Sequence, residues 1–212
     1  MSISKHIKNI IFDLGNVLVD IDPKLTMEAL EVINKNPSNE FKDGWKLMDQ
    51  FYIFEKGDWT DVEFREKAKE FLNNPTIENI ELDMAWNKLL LDIDTKRIDL
   101  LLELKIKYRT FILSNTNAIH IKEINNKLGA QYAYPMSLEG LVEKCYYSHV
   151  LHATKPDPEV FMSVLKENGL TAKETLFIDD RLENIEGAKK VGMETIHLHA
   201  PTTILDIYNN GI

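Results

Sequence analysis

Residues 10–20, IIFDLGNVLVD, begin with three apolar residues and place a carboxylate, Asp13, directly after them. A short continuous apolar run is typical of a parallel strand that helices cover on both faces. Asp13 would then lie at the carboxyl end of the strand, which is the edge where open α/β sheets bind ligands. The stretch therefore predicts a buried first strand that ends in a functional carboxylate.

Similar apolar runs recur later in the chain, at Thr110–Leu113, Thr175–Ile178 and Thr195–Leu198, and Tyr146–Leu151 is a weaker candidate. Segments with helical spacing separate these runs. The alternation of strands and helices predicts an α/β fold with a doubly wound parallel sheet.

Helix boundaries are marked by particular residues. Asp157 and Pro158 form a good N-cap and first helical position, and Gly169 marks the end of the same helix. Gly129 likewise predicts the end of the helix that follows the second of the four stronger strand candidates.

The region from about residue 22 to residue 93 contains no convincing buried strand. Thr60 and Glu63 form a capping box at the start of an amphipathic segment. We therefore expect a discontinuous core of residues 1–21 and 94–212, interrupted by an α-helical cap of residues 22–93. The cap would begin just beyond the ligand-binding edge and act as a lid. It contains all three tryptophans, Trp45, Trp59 and Trp86.

Composition restricts the partners that the chain could have. Its 34 acidic residues against 25 Lys and Arg give a net charge of −9, which disfavours nucleic acid and anionic membranes. The single cysteine, Cys145, excludes an internal disulfide framework and fits a reducing compartment. The N-terminal sequence resembles neither a signal peptide nor a membrane span. We expect a cytoplasmic protein, either a monomer or a weak homodimer, with a small-molecule substrate.

Four polar stretches fall at predicted strand ends or helix starts: 13–17, 114–117, 155–158 and 179–184. Asp13 can act as a nucleophile, and Ser114 with nearby backbone N–H groups can hold phosphoryl oxygens. Lys155 can neutralise developing negative charge. Asp179 and Asp180 supply the hard oxygen ligands that Mg²⁺ prefers. A cation would also relieve the repulsion between these carboxylates and an anionic substrate.

In this order, the four stretches resemble the motifs of the haloacid dehalogenase superfamily, in the subgroup with a helical cap after the first strand. They look most like the bacterial branch that includes an α-D-glucose-1-phosphate phosphatase. The resemblance implies a two-step hydrolysis of a phosphomonoester through an aspartyl-phosphate on Asp13. The substrate would be a small phosphorylated metabolite, such as a hexose 1-phosphate.

The resemblance also assigns roles to individual residues. The catalytic residues would be Asp13, Ser114 and Lys155, and Asn184 would support the catalytic loop. Ser114, Asn115 and Lys155 would bind the phosphoryl group. Mg²⁺ would be held by Asp13, the backbone carbonyl of Gly15 and Asp180, with Asp179 nearby.

Position 15 departs from the family pattern, because the phosphatases of the family usually have an acid/base Asp where this chain has Gly15. An anomeric phosphate, whose leaving group is more acidic than an ordinary alcohol, would need less help from an acid. A side chain of the cap could also supply the proton, and Glu55–Trp59 is the cap segment best placed by sequence to contact a leaving group. Two alternatives stay open: a 2-haloacid dehalogenase, and a binding or regulatory protein with little turnover.

Overall fold

The computed structural model describes residues 4–35, 51–132 and 136–209. Trp45, which we placed in the cap, lies outside these residues. Within the described ranges no helix is both long and apolar enough to cross a membrane.

In the part of the chain that the structure describes, five parallel strands form one sheet. The central strand is the one that precedes Asp13, as the order β3-β2-β1-β4-β5 shows. Phe12 pairs with Ile112 on one side and with Ile178 on the other. The carboxyl ends of β1, β2 and β4 therefore meet at one edge, and the predicted α/β sheet is confirmed. The strands are β1 (Asn9–Phe12), β2 (Arg109–Ser114), β3 (Lys144–Tyr147), β4 (Thr175–Asp179) and β5 (Glu194–His197).

The weaker strand candidate, Tyr146–Leu151, was wrong in its second half. β3 begins earlier, at Lys144, and residues Ser148–Leu151 are helical. β2 ends at Ser114, whose partner in β3 is Tyr147, so residue 148 has no further strand residue beside it. Ser148 instead accepts a hydrogen bond from the backbone N–H of Thr116 at 2.9 Å, and the chain turns away from the sheet.

Helices cover both faces of this sheet. Phe12 points into a cluster with Leu101 and Ile124, whereas its neighbour Ile11 packs in a second cluster with Phe161. This alternation explains why the strands are apolar throughout. The helices are Pro23–Ile33, Asp61–Phe71, Asn79–Trp86, Thr95–Lys107, Ala118–Gln131, Leu138–Leu141, Ser148–Leu151, Pro158–Asn168, Leu182–Lys190 and Ile204–Asn209, with helical residues also at 51–55 and 3₁₀ turns at Asn87–Leu89 and Ala172–Glu174.

Most helix boundaries follow the expected capping residues. The Asp157 side chain accepts a hydrogen bond from the backbone N–H of Glu159 at 2.9 Å, and Gly169 ends that helix with a φ of 62°. Gly129 was wrongly predicted as a helix end, because its helix continues to Gln131. The apolar residues up to Leu128 stay buried on that helix, and one glycine costs only about 1 kcal/mol relative to alanine.

The segment between β1 and the Thr95–Lys107 helix has its own apolar cluster. Phe54 stacks on Phe64 with ring centroids 4.2 Å apart, and Trp86 lies 4.9 Å from Phe64. The capping box of Thr60 and Glu63 is present. Among residues 23–35 and 51–89, every regular element is helical, as the sequence predicted.

Two strand-like connections join this helical segment to the sheet domain. Ile21 forms an isolated antiparallel bridge with Leu90. Beside it, the Asp20 carboxylate accepts two hydrogen bonds from the buried guanidinium of Arg97, at 2.7 and 3.1 Å. Asp22 caps the Pro23–Ile33 helix through the backbone N–H of Lys24. Asp20 and Asp22 therefore have structural roles at the connection.

The far end of the helical segment rests on the short helix Ser148–Leu151 and on the loop after it. Tyr52 Oη lies 2.9 Å from Thr154 Oγ1, and the Glu55 carbonyl accepts a hydrogen bond from Ser148 Oγ at 2.5 Å. Gly57 has a φ of 81°, and a Cβ added there would lie 2.1 Å from the carbonyl oxygen of His149. This close approach requires a glycine.

We expect Gly57→Ala to weaken the contact between the helical segment and the sheet domain. The positive φ alone costs about 1–3 kcal/mol for a residue with a side chain, and the clash with His149 adds to it. Urea unfolding should show a lower free energy of unfolding. Gly129→Ala is the matched control, because nothing lies within 4 Å of its added Cβ, and its helix should gain about 0.5–1 kcal/mol. Equal stability of the Gly57→Ala variant and the wild type would contradict this account of the contact.

Candidate active site

Asp13 lies immediately after β1, at the point where the strand leaves the sheet. Its backbone N–H donates to the carbonyl of Ile178 in β4 at 2.8 Å, which extends the strand pairing by one residue. The loop that follows closes tightly, since Asn16 N–H donates to the carbonyl of Val19 at 2.7 Å. Only 7% of Asp13 is exposed. The fold thus holds a carboxylate at the centre of the ligand-binding edge.

Lys155 links the carboxylate that follows β1 with the carboxylate that ends β4. Its Nζ lies 2.6 Å from Asp13 Oδ1 and 2.7 Å from Asp179 Oδ2, and it lies 5.3 Å from the centre of the Phe177 ring. Burial alone would lower the pKa of Lys155, but the two carboxylates raise it above its usual value. The lysine is therefore charged when it meets both acids.

Asp13 titrates differently from an exposed aspartate. Burial raises its pKa to about 6, while Lys155 lowers the pKa and Asp179 raises it further. At neutral pH most of the Asp13 population is still ionised. One oxygen is fixed by Lys155, so the other remains available to attack an electrophile.

The backbone of Lys155 is held by Asn115. Asn115 Nδ2 donates to the Lys155 carbonyl, and the Lys155 N–H donates to Asn115 Oδ1, both at 2.9 Å. The next residue, Pro156, packs against Gly187, where an added Cβ would lie 2.4 Å from the Pro156 carbonyl oxygen. In this structure the Asn115 side chain positions the lysine, and its direct contact with a substrate stays a prediction.

Asp179 is fully buried and held by several donors. Asn184 Nδ2 lies 3.0 Å from each of its oxygens, and the backbone N–H of Arg181 donates to Oδ1 at 2.8 Å. Asp180 is partly exposed and accepts a hydrogen bond from Asn16 Nδ2 at 2.9 Å. Asp180 thus has more freedom to bind a metal ion directly, whereas Asp179 orients Lys155.

The three aspartates form a cluster suited to a divalent cation. Asp13, Asp179 and Asp180 each offer an oxygen, and these oxygens lie within 4.8 Å of one another. Three carboxylates face one lysine, which leaves an excess of two negative charges when all are ionised. A small, hard cation would balance that excess with its preferred ligands. The residues present therefore fit the predicted Mg²⁺.

Gly15 is partly buried next to this cluster. A Cβ added to Gly15 would meet only the flexible end of Ile21, whose Cδ1 would lie 3.0 Å away. Gly15 is not among the residues with positive φ, so the backbone does not require a glycine. The fold therefore does not require a glycine at position 15, and the absence of an acid/base side chain there is a difference in the chemistry of the site.

Ser114, the remaining predicted site residue, ends β2 on the strand that neighbours β1. It is 4% exposed and lies two positions beyond Ile112, the residue paired with Phe12. Its hydroxyl is thus placed at the same edge as Asp13. Its binding of a phosphoryl group stays a prediction.

Sequence reasoning gave no role to Asn16 or Arg181, and it singled out Glu55 only as part of a segment. Asn16 adopts a left-handed conformation, with a φ of 55°, and bonds to Asp180. Asn tolerates this conformation better than most residues, which was the available signal.

Burial raises the pKa of Glu55 to about 7, while the charge of Arg181 lowers it. Glu55 and Arg181 are 126 positions apart in the chain, and no sequence pattern indicated that they interact.

Comparison with known proteins matches the chain over most of its length. A family model described as a haloacid dehalogenase-like hydrolase matches residues 7–192. The chain is 32% identical to the D-ribitol-5-phosphate phosphatase of Bacteroides thetaiotaomicron, over 89% of this chain and 90% of that protein.

Solved structures show the same fold. A haloacid dehalogenase family enzyme from Bacteroides thetaiotaomicron, crystallised with magnesium and inorganic phosphate, superposes with a TM-score of 0.85. It is 34% identical, over 95% of this chain and 99% of that one. The L-2-haloacid dehalogenase of Xanthobacter autotrophicus is 19% identical, with a TM-score of 0.60 over 96% of this chain and 81% of that one. This last likeness extends to the fold alone.

The pKa of Asp13 predicts how metal-free stability depends on pH. The folded chain keeps a proton on Asp13 up to its pKa of about 6, whereas an Asp side chain of the unfolded chain has a pKa of 3.8. The folded state therefore holds more protons between these two pH values. The free energy of unfolding should therefore fall as pH rises through this window, by an amount on the order of 1–3 kcal/mol from this group. Asp13→Asn should lack this fall. Urea unfolding in EDTA at several pH values measures this fall, and Asp92→Asn, a change at an exposed aspartate, is the control. If the free energy of unfolding depends on pH equally in Asp13→Asn and in the wild type, the raised pKa of Asp13 is contradicted.

Metal binding provides a second test of the acidic cluster. We expect Mg²⁺ to stabilise the wild type, by about 2.7 kcal/mol at one hundred times its dissociation constant. Asp180→Asn should reduce Mg²⁺ affinity at least about tenfold, because it removes the most accessible carboxylate of the cluster. Titration calorimetry measures the affinity. Undiminished binding by Asp180→Asn, with Asp92→Asn also unchanged, would place the cation elsewhere.

Proposed function

Because the chain belongs to the haloacid dehalogenase-like hydrolases, we propose that it is a Mg²⁺-dependent hydrolase of small phosphomonoesters. The observation that carries the proposal is the position of Lys155, bound to Asp13 and Asp179 within the cluster of three carboxylates. This arrangement presents a nucleophilic oxygen, a buried cation and a metal site at one sheet edge. Its chemistry fits an anionic electrophile such as a phosphoryl group.

In this proposal, Asp13 attacks phosphorus and forms an aspartyl-phosphate, which water then hydrolyses. Lys155 holds one Asp13 oxygen in place, so that the free oxygen faces the substrate, and its charge stabilises the phosphoryl oxygens. Ser114 and the backbone N–H groups after β2 would bind the same oxygens. Asn115 and Asn184 keep Lys155 and Asp179 in position.

A bound Mg²⁺ would neutralise charge and orient the phosphoryl group. Asp13, Asp180 and the carbonyl of Gly15 would hold it, with Asp179 alongside. The predicted cofactor is supported by the oxygen ligands of the described cluster and by the magnesium in the related crystal structure.

We further propose that residues 22–93 act as a cap over the site. Their helices rest on the core through Tyr52 and Gly57 and connect to it beside Asp20. A closed cap would exclude water from the phosphoryl transfer and would have to open for product release.

The substrate that we propose is a phosphorylated sugar or sugar alcohol. The D-ribitol-5-phosphate phosphatase that resembles this chain over 89% of its length supports a polyol phosphate. The sequence motifs suggested a hexose 1-phosphate, whose more acidic leaving group would suit Gly15. These two substrate classes differ in the ester that is cleaved, a primary alkyl phosphate in one and an anomeric phosphate in the other.

Dehalogenation is the less favoured alternative. Carbon–halogen hydrolysis by dehalogenases of this superfamily needs no metal, whereas the three carboxylates of this site fit one. The dehalogenase structure shares only the fold with this chain.

Phosphate release in the presence of Mg²⁺ tests the proposal. We expect turnover of D-ribitol 5-phosphate, α-D-glucose 1-phosphate or p-nitrophenyl phosphate, abolished by EDTA and reduced at least about 10³-fold by Asp13→Asn. Exposed Asp92→Asn should retain wild-type activity.

Two results would contradict the proposal. Saturable binding of these esters without phosphate release, even at enzyme concentrations equal to substrate, would indicate a binding protein. Chloride release from 2-chloropropionate that EDTA does not diminish would indicate a dehalogenase.

A further inference from the structure

The backbone of Glu55 is anchored above the loop that follows β2. Its carbonyl accepts a hydrogen bond from Ser148 Oγ at 2.5 Å, and the same hydroxyl accepts one from the backbone N–H of Thr116 at 2.9 Å. Thr116 lies two residues beyond Ser114. Glu55 is thus held near the phosphoryl-binding end of β2 by a single bridging side chain.

The carboxyl group of Glu55 interacts electrostatically with a residue of the loop that follows β4. Its carboxyl group lies close enough to the Arg181 guanidinium for the two charges to interact. Arg181 follows the Asp179–Asp180 pair, and its backbone N–H donates to Asp179 Oδ1. β1 lies between β2 and β4 in the sheet. Glu55 is therefore associated with the loops that follow β2 and β4, the two strands that flank β1 and Asp13.

The surroundings of Glu55 favour reversible protonation near neutral pH. Burial raises its pKa to about 7, and Arg181 opposes that effect. Arg181, the charged group that acts on Glu55, is itself paired with Glu183, and the neighbouring Lys56 is paired with Asp58 at 3.4 Å. Both the acid and the carboxylate forms are accordingly populated at pH 7, as a group that gives and takes a proton requires.

Building on the proposed phosphatase function, we propose that Glu55 of the cap is the acid/base that replaces the family's aspartate at position 15. In the first step, the bond between Asp13 and phosphorus forms, the bond between phosphorus and the alcohol oxygen breaks, and the Glu55 carboxyl proton passes to that oxygen. In the second step, water attacks phosphorus, the bond to Asp13 breaks, and the Glu55 carboxylate takes a proton from the water. The products are an alcohol and inorganic phosphate, and Glu55 is protonated again.

This assignment makes catalysis depend on cap closure. Gly57 lies against the carbonyl of His149, and Tyr52 lies 2.9 Å from Thr154. These contacts flank Glu55 on both sides along the chain. The proton donor is therefore in place only when the cap rests on the core, which limits chemistry to the closed, water-excluding state.

The leaving group distinguishes an acid from a residue that only binds substrate or maintains structure. p-Nitrophenolate leaves without a proton, whereas the alkoxide of a primary alkyl phosphate requires one. We expect Glu55→Gln to lower kcat/KM for D-ribitol 5-phosphate by about 10²–10³-fold. The value of kcat/KM for p-nitrophenyl phosphate should change by less than about threefold, because it reports formation of the phosphoenzyme.

Rapid mixing tests the second step. Glu55→Gln with p-nitrophenyl phosphate should release one equivalent of nitrophenolate in a burst and then turn over slowly, because the water lacks its base. Glu66→Gln is the matched control, since it makes the same change on an exposed part of the cap and should behave as the wild type. Thermal unfolding and Mg²⁺ affinity of both variants check that fold and metal site are intact.

The outcomes separate the two proposals. Equal losses for both esters in Glu55→Gln, or no loss for either, would overturn the acid/base role while leaving the phosphatase function in place. Absence of hydrolysis of D-ribitol 5-phosphate, α-D-glucose 1-phosphate and p-nitrophenyl phosphate alike by the wild type would refute the phosphatase proposal and, with it, the role of Glu55.

Discussion

The ammonium group of Lys155 lies between the carboxylates of Asp13 and Asp179, and the arrangement of the site depends on this contact. Buried charges are costly unless they are paired, so the lysine and the two acids must be brought together by the fold. The parallel sheet does this by placing β1 beside β4, and the loop of Lys155 is fixed by Asn115 and by close packing on Gly187. The pairing leaves negative charge in excess, and the oxygens of the acidic cluster fit a divalent cation.

The helical segment after β1 packs within itself and also contacts the residues that follow β3. Its apolar cluster, which includes Phe54, Phe64 and Trp86, gives it internal packing of its own, while Gly57 and Tyr52 bring one end onto the loops after β3. Through Ser148, the same end is tied to Thr116 in the loop that follows β2. Glu55 lies within this contact region. Its carboxyl group, with a pKa of about 7, is the one that we propose to act as the acid/base in a site where position 15 is glycine.

Local patterns in the sequence were reliable where local forces decide the structure. The apolar run before Asp13, the capping box at Thr60 and the N-cap at Asp157 were all found as predicted. Predictions were wrong where a neighbouring element decided the outcome. β3 ends at Tyr147 because β2 ends at Ser114, and the helix through Gly129 continues because its apolar face remains buried.

The sequence by itself determined the parallel α/β fold, the family and the identity of the four polar stretches, because these depend on short-range periodicity and on residue types in a fixed order. Only the tertiary structure showed that the Asn115 side chain holds Lys155, that Asn16 bonds to Asp180, and that Glu55 faces Arg181. These contacts join residues 40 to 164 positions apart in the chain. Their free energies depend on distances and on burial, and neither quantity is defined until the chain has folded.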